Sequence, residues 1–100
     1  MIKEIEKPIE FGTYIHGLRK ERKYSLKIVA DKLGVDISLL SKIENGDRQL
    51  QRRMLKGLSA IFEIDYKKLH IDYLLFRIKN EFGQEPFLKE VIIELSKELK

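Results

Sequence analysis

The stretch from Ser25 to Arg48, SLKIVADKLGVDISLLSKIENGDR, decides the fold. Leu26, Val29, Ala30 and Leu33 recur at i, i+3, i+4 and i+7, the spacing of one apolar helix face. Ser25 stands just before them, where a hydroxyl accepts from an orphan N–H of the first helical turn. The third helical position is Ile28, so no capping box forms. Gly34 stops this helix, because glycine takes the left-handed conformation without a Cβ clash. After Val35, Asp36 is positioned to cap a third helix over 37–44, with Leu40 and Ile43 turned inward and Asn45-Gly46 closing it. Only Gly34, Val35 and Asp36 separate the two helices, and so short a link forces them to cross sharply, as in a helix-turn-helix.

Outward from this core the chain continues in helical blocks. Phe11, Ile15 and Leu18 mark a first helix over 10–23. After an irregular stretch at 47–50, a fourth helix over 52–62 turns Leu55, Leu58, Ser59 and Phe62 inward. Gly57 inside it costs about 1 kcal/mol against alanine. Asp65 caps a fifth helix over 66–82, whose apolar residues do not keep to one face and therefore need cover on more than one side. Gly83 ends it. Pro86 suits the first turn of a sixth helix, on which Leu88, Val91, Ile92, Leu95 and Leu99 form one broad stripe. Strand signals are sparse. The expectation is an all-α protein: a five-helix domain with a helix-turn-helix over 10–69, a frayed N-terminal arm over 1–9, and a C-terminal helical extension over 70–100 that serves dimerisation.

Composition narrows the function. One hundred residues make one domain with at most a short extension. With no cysteine, disulfides and cysteine–zinc sites are ruled out, and two widely separated histidines, His16 and His70, make a metal enzyme a poor reading. His16 reads as a helix-surface residue and His70 as partly buried. No glycine-rich phosphate loop or catalytic constellation is visible, so neither an enzyme nor a cofactor is expected. No apolar run reaches the roughly 18 residues of a membrane span, and the charged start MIKEIEKPIE does not resemble a signal peptide; a cytoplasmic location with no membrane partner is expected. The formal charge of +4 is unevenly spread. Between His16 and Lys56 eleven basic residues face five acidic ones, whereas from His70 onward six acidic residues face five basic ones. The first half suits a polyanion, and the tail has no such bias.

The block from Phe11 to Leu69 resembles the helix-turn-helix domain of the Xre family, the phage-repressor and Cro-like regulators. The resemblance is carried by Ala30 inside the second helix, Gly34 at the turn, Val35 after it, Leu40 and Ile43 at the packing positions, and the ending Ile43-Glu44-Asn45-Gly46. There are departures. Lys23 stands where the family usually has glycine, at the end of the first helix; Leu26 replaces a glutamine that touches phosphate; and Leu50 replaces a proline before the fourth helix.

The resemblance implies a sequence-specific regulator that binds double-stranded DNA as a homodimer, as a repressor or autoregulator on a pseudopalindromic operator. It places Ile37, Ser38, Ser41 and Lys42 at the base-reading positions. Lysine can donate to guanine O6 and N7, serine can serve either sense, and Ile37 can pack on a thymine methyl or flank the core. Phosphate contacts are expected from Lys27, Asn45, Arg48, Arg52 and Arg53, helped by backbone N–H groups near Gly46. By the same resemblance Arg19 of the first helix pairs with Glu44 at the end of the third, orienting the recognition helix and holding Arg19 toward a phosphate; an exposed pair of this kind is worth about 0–1 kcal/mol. Leu75, Ile78, Leu88 and Ile92 are the expected dimer contacts. Two alternatives remain: an antitoxin-type protein that neutralises a protein partner through its C-terminal helices, and the controller of a restriction–modification system.

Overall fold

The computed structural model describes residues 11–99, and the arm expected over 1–9 lies outside the described residues. Six α-helices follow one another: α1 Phe11–Glu21, α2 Leu26–Leu33, α3 Ile37–Asn45, α4 Leu55–Phe62, α5 Tyr66–Phe82 and α6 Leu88–Glu98. Among the described residues there is no strand, and no helix is long and apolar enough to cross a membrane. The fold is all-α with a helix-turn-helix at its centre, as expected.

Local chemistry explains most of the helix ends. Ser25 Oγ accepts from the Ile28 N–H at 3.1 Å, and Asp65 Oδ2 accepts from the Lys68 N–H at 2.9 Å, satisfying donors that the helices leave orphaned. Gly34, at φ 73°, closes α2: its N–H reaches the Asp31 carbonyl and the Val35 N–H the Ala30 carbonyl. Lys23 does adopt the left-handed backbone, at φ 58°, in the place where glycine is usual.

Three expectations need correction. Asp36 occupies the N-cap of α3, but only its carbonyl serves the helix, accepting from Leu39 and Leu40; its side chain makes no cap bond. The block expected as one helix over 52–62 is split into a 3-10 turn, Arg52–Met54, and α4 proper: the Met54 N–H bonds the Gln51 carbonyl three residues back at 2.9 Å, which tightens the first turn, with Met54 buried and Arg52 and Arg53 in solvent. Pro86 lies in the turn before α6 and not in its first helical turn, since Phe87, at φ 67°, forms the N-cap.

The core is built from α1 to α5. Ile15, Val29, Leu40, Leu55, Phe62 and Leu69 are each sealed from solvent, and Ala30 sits fully buried where α2 meets α3. The expected boundary between 69 and 70 falls inside α5, a single helix whose Tyr73 is also core. Phe11 meets Tyr73 and Phe76 edge-on, with ring centroids 5.7 and 5.0 Å apart, so the start of α1 is held against α5. Arg22 donates to the Phe62 carbonyl at 2.8 Å and lies over its ring, tying the end of α1 to the end of α4.

Gly12 allows the close approach of α1 to α3. A Cβ there would sit on the carbonyl oxygen of Ile43, 2.9 Å from its carbonyl carbon and 3.1 Å from the Glu44 Cα. These are backbone atoms of α3 and cannot swing aside. Gly17, one and a half turns along the same helix, faces open space. The two glycines should therefore respond in opposite senses. Gly12→Ala is expected to destabilise the protein by about 1–3 kcal/mol through overpacking. Gly17→Ala is expected to stabilise it by about 0.5–1 kcal/mol through helix propensity. Denaturant unfolding of both variants checks this, and two shifts of the same sign would contradict the packing described.

Candidate nucleic-acid interface

The helix α3 divides its residues cleanly. Leu40, Ile43 and Glu44 are buried, and at 3.6 residues per turn Ser38, Ser41, Lys42 and Asn45 turn to the other side, while Ile37, two turns before Glu44, stands at the edge between the two. Ser38, Lys42 and Asn45 are exposed and Ser41 is half-buried. Ile37 keeps 48% of its surface in water, so it is not spent on the core. Of the four residues singled out for reading bases, Ser38, Ser41 and Lys42 thus lie on the outward side and exposed Ile37 stands at its edge in the first turn, on a helix narrow enough to enter a major groove about 12 Å wide.

The expected phosphate-binding residues are less uniform. Arg48 and Arg52 are exposed beyond the C-terminal end of α3, and Arg53 is exposed with its Nε donating to Gln51 Oε1 at 2.6 Å. Lys27 lies on α2, away from this group in the chain, in an exposed pair with Asp31 at 3.1 Å. The expected help from backbone N–H groups near Gly46 does not hold. Gly46 donates to the Ile43 carbonyl, and both Asp47 and Arg48 donate to the Lys42 carbonyl. The end of α3 consumes these donors to satisfy its own orphan carbonyls. Beyond them the loop is fixed by buried Leu50, whose carbonyl accepts from the Tyr73 hydroxyl at 3.3 Å; Arg77 donates in turn to that hydroxyl at 3.0 Å. Tyr73 therefore helps to place the basic segment. Sequence reading did not assign it this part, and its only trace there is a hydroxyl-bearing ring within an otherwise aliphatic run.

Behind the exposed face, α1 grips α3 through a buried ion pair. Arg19 and Glu44 are each only 8% exposed. Arg19 Nε donates to Glu44 Oε2 at 2.8 Å and its NH2 group to Oε1 at 3.0 Å, a bidentate fork. The remaining terminal nitrogen, NH1, donates to the Tyr24 carbonyl at 2.9 Å. The pairing is as expected, but two parts of the expectation are corrected. The pair is interior, not an exposed one of small value, and Arg19 is fully engaged within the protein, so it is not held out toward a phosphate. His16 is exposed on α1, as expected, and its Nδ1 also lies 2.8 Å from Glu44 Oε1 and donates to it in the tautomer protonated there. The signal was available: His16 and Arg19 are three apart, on one face of α1. His70 is partly buried, as expected, with Nδ1 3.0 Å from the Tyr66 hydroxyl.

Burial pushes the Glu44 carboxyl up, but the hydrogen bonds it accepts from Arg19 and His16, together with their charges, outweigh this and hold its pKa below the ordinary 4.5. For Arg19 the hydrogen bond to Glu44 outweighs desolvation, and with the charge of Glu44 it raises the guanidinium pKa. Among the described residues no cluster of histidines and carboxylates has metal-binding geometry.

Removing one member of this pair strands the other's charge in the interior. Glu44→Ala is expected to cost about 3–5 kcal/mol, whereas Arg19→Met combined with Glu44→Leu should recover most of that loss. Because the folded-state pKa of Glu44 is depressed, its contribution is complete above pH 4.5 and is lost as pH falls through the folded value. The wild-type chain should therefore lose stability on acidification below pH 4.5 more steeply than the double variant. Urea unfolding across pH 7 to 3 checks both points; single-residue losses below about 1 kcal/mol would place the pair in solvent.

Neither the comparison with curated proteins nor that with solved structures found a significant match. A family model described as a helix-turn-helix domain matches residues 12–75, from the start of α1 to the middle of α5. That span takes in the turn at Gly34, the lock at Glu44 and the exposed face of α3, and on it the chain belongs to this helix-turn-helix family.

Proposed function

We propose that the protein is a sequence-specific DNA-binding regulator of transcription, a repressor or autoregulator of the Xre type, working in the cytoplasm as a homodimer on a pseudopalindromic operator. The observation that carries this reading is the outward side of α3, with Ser38, Ser41 and Lys42 on it and exposed Ile37 at its edge, on a helix pinned from behind by α1. Family membership supports DNA binding, and the basic excess of residues 16–56 supports a polyanionic partner.

The mechanism is occupancy. Exposed Arg48, Arg52 and Arg53 meet phosphates and set the register, while the face of α3 reads base edges. In this reading the chain binds its partner without transforming it and needs no cofactor. One unit covers one half-site, so a two-fold dimer selects half-sites about 34 Å apart. The dimer is assigned to α5 and α6, where Leu75, Ile78 and Ile92 are exposed and Leu88 is half-buried. The same apolar extension suits the second reading, an antitoxin-type protein with a protein partner. Co-purification of a second, different chain in fixed stoichiometry would favour it. The controller of a restriction–modification system is a special case of the first reading.

Selection of bound sequences from random duplex DNA, at stated salt, tests the proposal. The expected result is an enriched two-fold symmetric motif; the absence of any enriched sequence would overturn it. Against the selected duplex, Arg52→Ala and Arg53→Ala should each weaken binding to all sequences alike and lower the salt slope by about one unit. Lys42→Ala should instead relax preference at one base pair per half-site, by about 1–3 kcal/mol, and Ile37→Ala should lose thymine-over-cytosine preference at another. Full retention of sequence preference in both α3 variants would remove that face from the groove.

A further inference from the structure

The helix α5 carries two apolar faces. Leu69, Tyr73 and Phe76 point to the domain core, and on the opposite side Ile71, Leu74, Leu75, Ile78 and Phe82 are exposed at helical spacing. The helix α6 buries no residue at all: Val91, Ile92, Leu95 and Leu99 are exposed and only Leu88 is half-buried. The α5 stripe runs over eleven residue steps, from 71 to 82, or about 16 Å of helix; the α6 stripe runs from 88 to 95, about 10 Å, with Leu99 following just past the helix end. One chain thus holds two apolar stripes, both open.

Closing α6 back onto its own α5 would cover both, yet that is not the arrangement formed. Phe87 takes the left-handed backbone at φ 67° just before α6, and α6 leaves the domain instead of lying along α5. The radius of gyration is 15.6 Å, against about 13 Å for a compact domain of this length.

We propose that α6 is an exchanged arm: in a dimer, α6 of each chain lies along the outer stripe of α5 of the other. The proposal rests on the two-copy reading given above and specifies how the two copies hold each other. Charge selects this pairing over its rivals. The helix α5 carries Lys67, Lys68, Arg77 and Lys79 against Asp72 and Glu81, a net charge of +2, with Lys68 and Lys79 along one edge of the stripe (Lys68 pairs with Asp72 at 3.1 Å). The helix α6 carries Glu90, Glu94 and Glu98 against Lys89 and Lys97, a net charge of −1, with Glu94 and Glu98 along one edge of its stripe. Pairing α5 with α5 brings two net-positive helices together, and pairing α6 with α6 two net-negative ones. Of these pairings, α5 with α6 alone brings helices of opposite net charge to a covered apolar seam, and charge of this kind helps to fix partner choice between helices.

A chain without cysteine makes the test direct. One batch of full-length protein carries Ile78→Cys, at the middle of the α5 stripe. Two others carry Ile92→Cys and Leu95→Cys, on the α6 stripe, so that parallel and antiparallel seating are both sampled. All three positions are exposed within the single chain, and circular dichroism of each variant checks that its helices are intact. Batches are mixed, equilibrated under reducing conditions and oxidised, while sedimentation equilibrium reports the oligomeric state of the wild-type chain. The expected result is a wild-type dimer and a disulfide joining the α5 variant to an α6 variant, dominant over either variant joined to itself. A dimer that yields only self-joined products overturns the exchange and leaves the two-copy reading standing. A wild-type chain that stays monomeric at tens of micromolar while binding its selected duplex overturns both. Sedimentation as a complex with a different co-purifying protein gives the α6 stripe to that partner and likewise overturns the exchange.

Discussion

The structure depends on a charge taken out of water. Arg19 and Glu44 lie 25 residues apart in the chain and meet in a bidentate, nearly dry contact between α1 and the last turn of α3. Desolvating two ions is expensive, and the cost is offset only because geometry and further hydrogen bonds are good. Here Glu44 accepts from His16 as well, and Arg19 donates to the Tyr24 carbonyl. Apolar packing of Leu40 and Ile43 tells α3 to stay on the domain, but packing alone is tolerant of small rotations. The fork is not, and with Gly12 wedged against the carbonyl of Ile43 it sets which side of α3 faces out. The direction of the candidate reading face is thus set from behind, by contacts between α1 and α3.

Around this lock the basic residues of the first half divide by task. Arg19 and Arg22 are spent inside, on Glu44 and on the Phe62 carbonyl, whereas Lys42, Arg48, Arg52 and Arg53 remain in solvent. Because Arg19 is buried with Glu44, the pair removes one charge of each sign and leaves the basic excess of the segment unchanged. The loop that carries Arg48 is anchored at both ends, by the cap on α3 and by Tyr73 holding Leu50. A held loop loses less freedom on binding than a slack one.

How far the sequence foretold this depends on the kind of interaction. Ala30, Gly34 and Leu40 were legible because helical period and turn chemistry are local: a small residue, a left-handed residue and a large one at fixed offsets leave few alternatives. The outward set of Ser38, Ser41, Lys42 and Asn45 follows from the same period once Leu40 and Ile43 are turned inward, whereas Ile37 comes from the family resemblance. The Arg19–Glu44 pairing came from family resemblance, and its burial did not, because burial depends on how closely two distant helices approach. Gly12 holds that information, but a glycine near a helix start is indistinguishable in sequence from one that is merely tolerated, as Gly17 is. The backbone donors around Gly46 seemed free for a ligand because sequence does not reveal where a helix end finds its cap. At the sixth helix Pro86 looked like a first-turn residue, while the chain used a left-handed Phe87 to start one residue later.

The central claim is that a locked α3 presents one face, with the basic loop after it, to duplex DNA. Titrating isotope-labelled protein with its selected duplex and following backbone amide shifts by NMR tests this most directly. The account predicts that the largest changes fall between residues 36 and 53, with little effect at the exposed ends of α6. Changes concentrated on α5 and α6, with α3 unmoved at saturation, would contradict it.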